Sequence, residues 1–180
     1  MKFILVIALL FMSAVAKAAL AADGPPLSPE LQKLDVFVGH WEFHGQTLDT
    51  AFGKPGAWIW NEDCRWSDDR GFLLCSFANV WSGKPVNSLV VDTYNNKDHG
   101  YWHYELFAGG QTGSRPFISK MTVAGNTWTE YGEDADHGKK ISERITYRYS
   151  STNEVDVAIL VSRDGSHWIT VDRGHGVKKP

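Results

Sequence analysis

Two cysteines in 180 residues, no block of like charge and no catalytic signature are the first things the chain has little of, and each shortage excludes something. A net charge of −3 leaves no basic field, which argues against nucleic acid as a partner. There is no Gly-x-Ser-x-Gly elbow and no glycine-rich phosphate loop. No serine, histidine and acid stand at a spacing that argues adjacency. The expectation is a protein that is not an enzyme and carries no cofactor. Its longest apolar run, residues 3–12, is shorter than the ~20 residues a helix needs to cross a bilayer, so no membrane span is expected in the mature protein.

That run has a meaning of its own. It follows Met1-Lys2 and leads into small residues ending at Ala16-Lys17-Ala18 and Ala19-Leu20-Ala21, the basic, apolar and small-residue order of a secretory signal. Cleavage is expected after Ala21, with Ala18 second. No cysteine lies near either site to take a lipid anchor. Losing Lys2 and Lys17 with the signal takes the charge from −3 to −5. The chain therefore divides into a signal at 1–21, a Pro/Gly linker at 22–28 and one domain at 29–180, periplasmic or secreted.

What is abundant is aromatic: eight Trp, six Tyr and nine Phe, residue types that suit pleated, half-buried surfaces. Ser28-Pro29-Glu30 supplies an N-cap, a proline at the first helical position and an early acid, and predicts one short helix over 29–36. From His40 the period changes to two. Breaks at 53–56, 68–71, 82–85, 95–100, 109–113, 125–126, 134–138, 150–153 and 164–165 delimit about ten strands. Successive hairpins without a helical crossover predict an all-β, antiparallel up-and-down barrel, closed because closure removes exposed edges. A two-sheet sandwich is the alternative.

Two stretches resemble a known family. Leu31 to Trp41, read as L-x-x-L-D-x-F-V-G-x-W, and Ser162-Arg163-Asp164-Gly165-Ser166-His167-Trp168 are similar to bacterial exported proteins of domain of unknown function 1579. That resemblance implies a calycin-type barrel, related in shape to lipocalins and nitrobindins, in which Trp41 serves the fold. It implies no activity. Nitrobindins bind haem through a histidine near the C-terminus; His167 and His175 lie there but lack the Pro-His-Leu context of that ligand.

Candidate chemistry divides three ways. Period two places Trp58, Trp60 and Trp66 on one strand face, and Phe77 with Trp81 on the next. Trp102 and Tyr104 follow on a later strand, then Trp128 and Tyr147. An aromatic-walled cavity is the usual seat of a small ligand in such a barrel, so Trp60, Phe77, Trp102, Tyr104, Trp128 and Tyr147 are the candidate ligand-binding residues for an apolar or aromatic molecule. The same rings can simply fill a core, which leaves an envelope protein with a packed barrel acting through protein contacts. A lesser alternative is metal-dependent activity through His40, His44, His99 and His103, paired four apart along strands.

Cys64 and Cys75 give the sharpest expectation. The turn at 68–71 lies midway, with three residues on each side, so a hairpin centred there sets the two sulfurs opposite each other. Export places both in an oxidising compartment, and they have one intramolecular pairing. Two free buried thiols are the competing reading.

Overall fold

The two-residue period holds around a complete circuit. The computed structural model describes residues 25–81, 84–108, 116–136 and 138–180. The signal expected at 1–21, the first part of the expected linker and the turn expected at 109–113 lie outside the described residues. The strands are β1 (Gly39–Thr47), β2 (Gly56–Trp66), β3 (Leu73–Trp81), β4 (Lys84–Asn95), β5 (Gly100–Phe107), β6 (Phe117–Ala124), β7 (Thr127–Asp136), β8 (Lys139–Ser151), β9 (Glu154–Ser162) and β10 (Ile169–Lys179). Each pairs antiparallel with the next, and β10 pairs with β1 to close the barrel.

The helical segment runs over the expected residues, but only its first turn is α: α1 (Pro29–Gln32) tightens into a 3-10 turn (Lys33–Val36). Ser28 Oγ accepts the Leu31 N–H at 3.2 Å as the cap. With so little helical hydrogen bonding of its own, the segment is held by the barrel. Tyr101 Oη donates to the Glu30 carbonyl at 2.9 Å, and Trp66 Nε1 donates to Asp35 Oδ1 at 2.8 Å. Phe37 then drops into the barrel, edge-on to Trp128, Tyr147 and Tyr149 at 5.1–5.9 Å. Gly39, at φ +118°, makes the bend into β1 in a region that glycine alone enters freely. Trp41, 1% exposed, donates Nε1 to the Phe37 carbonyl at 3.0 Å and so seals this end.

The hairpin of β2 and β3 has the register expected from the cysteine spacing. Cys64 stands opposite Cys75, and the two form a disulfide. The turn is built by Asp69, whose Oδ1 accepts from Ser67 Oγ and from the Gly71 N–H. Asp164 acts similarly between β9 and β10, accepting the N–H groups of Ser166 and His167 at 2.8 Å. The stretch around it is a hairpin turn.

Candidate ligand-binding interior

On β2 the inward phase runs Trp58, Trp60, Glu62, Cys64; on β3 it runs Cys75, Phe77, Asn79. Trp60 is the hub of the aromatic wall. It stacks on Phe43 at 4.7 Å between centroids, lies 5.3 Å from Phe77 and meets Tyr147 edge-on at 6.4 Å. Tyr101 and Trp128 continue the wall, 4.8 Å apart. The structure thus brings Trp60, Phe77, Trp128 and Tyr147 together inside the barrel.

It does not bring Trp102 and Tyr104 there. On β5 the inward phase belongs to Tyr101, His103 and Glu105, so Trp102 and Tyr104 face outward, stacked on each other at 6.0 Å. Trp102 donates to Asp98 Oδ2 and carries Lys120 Nζ 4.5 Å above its ring. Both faces of β5 carry aromatics, and alternation alone does not say which face is inside.

Beneath the aromatic wall lies a feature that residue types did not suggest, a buried polar cluster. His103 Nδ1 donates to Asp92 Oδ1 at 2.8 Å, and its Nε2 lies 3.8 Å from Glu130 Oε1. Ser119 Oγ donates to Glu130 and Ser88 Oγ to Glu105, each at 2.6 Å. Burial works against a charged imidazole, but Glu130 and Asp92 outweigh it and raise His103 to about 10, so the ring is a cation at neutral pH. Burial also raises Glu105 and Glu130. It pushes Glu62, helped by Asp92, and Glu143, helped by Glu130, up to about 8; both are neutral acids at pH 7. One signal for Glu62 was present in the sequence: period two puts it on the face shared by Trp58, Trp60 and Trp66.

Two polar groups of this wall lack a partner among the described residues. Trp60 Nε1 and Asn79 Oδ1 are buried, and among the described residues neither meets a hydrogen-bond partner. They stand on residues facing each other across β2 and β3. Glu62, 6% exposed, has Oε1 2.9 Å from Cys64 Sγ; a disulfide sulfur has no proton to donate, so the protonated Glu62 carboxyl is the donor of this contact. A void of about 10 Å³, room for one water, lies between Glu62, Asp92, His103 and Glu130.

The histidines expected to share a metal do not converge. His40 and His44 are on the outer wall, beside Asp63 and Glu42. His99 sits in the turn before β5 at φ +49°, and His103 is inside. Neighbours on one strand face cannot approach a group on the other side of the wall. The C-terminal histidines are also outside: His167 is in a turn, and His175 is paired with Asp156. Among the described residues one group of three potential metal-ligand atoms is close together, Glu62, Cys64 and Cys75, and its two sulfurs are tied in the disulfide.

Solved structures of the same shape exist at low sequence identity. The structure of Rv2717c from M. tuberculosis matches with a TM-score of 0.61 at 15% identity, covering 86% of this chain and all of that one. The S-type phycobiliprotein lyase CPES from Guillardia theta matches with a TM-score of 0.56 at 12% identity, covering 86% of this chain and 94% of that one. In fold the chain is a lipocalin-like barrel. No family model and no curated protein matches it.

Proposed function

We propose that this chain is an exported binding protein that holds one small, largely apolar or aromatic molecule inside its barrel and does no chemistry on it. The observation that carries this reading is the unmatched pair on the β2–β3 wall, the Trp60 donor and the Asn79 acceptor, set among aromatic rings. A buried polar group without a partner costs about 1–3 kcal/mol, so a ligand offering one acceptor and one donor at this wall recovers that free energy. The void beside it accommodates one water. Binding therefore requires aromatic side chains to swing aside. One of the two similar barrels is named as a phycobiliprotein lyase, which accords with a barrel that receives another molecule. Export, and membership of the family of domain of unknown function 1579, belong to the same proposal and rest on residues 1–21 and on Leu31 to Trp41.

Native mass spectrometry of the mature protein purified from its own host tests the reading. A discrete mass excess that is lost on denaturation, and lost in Trp60→Phe combined with Asn79→Leu, supports it. A protein of bare mass whose experimentally determined interior is dry and closed overturns it.

A second reading has its own observation. The outer faces of β4, β5 and β6 carry an apolar band, in which exposed Leu89 faces Leu106 and exposed Tyr104 faces Ile118 across the strands. A packed barrel that acts through protein contacts would use such a band. Leu106→Asp with Ile118→Asp, assayed by crosslinking in the native envelope, separates it from the first reading, which predicts no change.

A further inference from the structure

Where the barrel closes, β1 and β10 lie side by side, and their register sets His44 directly opposite His175 on the outer wall. Facing residues of an antiparallel pair have Cβ atoms about 4.5–5.5 Å apart. Two imidazoles rooted at that separation can each bring a nitrogen to the ~2.0–2.1 Å that a bound metal requires. Both rings stand in solvent, with side chains 62% and 50% exposed.

Each ring already has one nitrogen held by a carboxylate. His44 Nε2 lies 2.8 Å from Glu42 Oε1, and His175 Nδ1 lies 3.0 Å from Asp156 Oδ1. The carboxylates are anchored in turn, Glu42 by Lys179 at 3.2 Å and Asp156 by Arg148 at 3.3 Å. A carboxylate on the outer nitrogen is the arrangement that orients a metal-ligating histidine and raises its basicity. His44 Nδ1 and His175 Nε2 are the ring nitrogens that these carboxylates do not engage.

We propose that His44 and His175 form a surface two-imidazole site for a divalent transition metal, with Glu42 and Asp156 as its outer partners. Imidazole suits Cu²⁺, Zn²⁺ and Ni²⁺, and Cu²⁺ heads the affinity order for such ligands. With two protein ligands, the remaining coordination positions go to water or to a second molecule. The pairing arises from barrel closure, because residues 44 and 175 are distant in the chain, and it is independent of what the interior holds.

The test uses the mature chain without a histidine tag, titrated with Cu²⁺ and followed by electron paramagnetic resonance. The expected result is one tightly held Cu²⁺ per chain with coupling to two imidazole nitrogens. His44→Gln and His175→Gln should each weaken binding at least tenfold and leave coupling to one nitrogen. His40→Gln, another outer-wall histidine of β1, should change neither. Circular dichroism checks that the variants fold; all three side chains reach solvent on the outer wall. Absence of Cu²⁺ uptake, or uptake and coupling that persist in His44→Gln and His175→Gln, overturns the proposal.

Discussion

The indole of Trp58 occupies the space that a side chain at Gly174 would fill. The same ring covers Gly45 on β1, so two strands meet at the barrel seam without side chains to make room for one tryptophan. Overpacking such a contact typically costs about 1–3 kcal/mol. Gly174→Ala should therefore lower the unfolding free energy by that amount, whereas Gly138→Ala, where a Cβ meets nothing, should act only through its φ of +77°. Urea denaturation of the two variants checks the difference.

Cys64 and Cys75 should titrate as no free thiols in the denatured, unreduced mature protein. Closing a loop this short adds roughly 3 kcal/mol through the unfolded chain. Cys64→Ser with Cys75→Ser should lose about that much in denaturant titrations, and reduction of the unmodified protein should give a similar loss.

His103 is paired with two buried acids, Asp92 at 2.8 Å and Glu130 at 3.8 Å. Removing one partner of a buried ion pair typically costs about 3–5 kcal/mol, because the other charge is left uncompensated. His103→Gln should be destabilised by that order at pH 7. Adding Asp92→Asn should recover part of the loss, and a double-mutant cycle measures the coupling.

The interior acids make stability fall as pH rises. The proton-bound forms of Glu62 and Glu143 are favoured in the folded state, so their stabilising contribution is complete below about 4.5 and disappears as pH climbs through about 8. The contribution of His103 is complete below about 6.5 and is lost through about 10. Stability curves of Glu62→Gln should be flatter than wild type between pH 5 and 8. An unchanged slope would contradict the buried, protonated state of Glu62.

Trp102 and Tyr104 should be irrelevant to an interior ligand. Alanine at both should leave any native mass excess intact, while Trp60→Phe, which removes the indole N–H and leaves a smaller ring in that wall, should reduce it.

Much of this barrel was legible from local rules. The helical segment at Ser28-Pro29, the period-two strands, the turns and the Cys64–Cys75 register depend on residues within about a dozen positions of one another. Offsets along one chain suffice for them. Which aromatic face of β5 points inward is set by pairing around the whole circuit, and it sent Trp102 and Tyr104 outside and His103 inside. The interior acids were hidden for a related reason. Asp92, Glu130 and His103 come from three different strands, and each read alone looks like a residue for the wet face, because an isolated buried charge is too costly to expect. Only the closed barrel, by bringing opposite charges together away from water, makes their burial affordable, and only its seam brings His44 to His175.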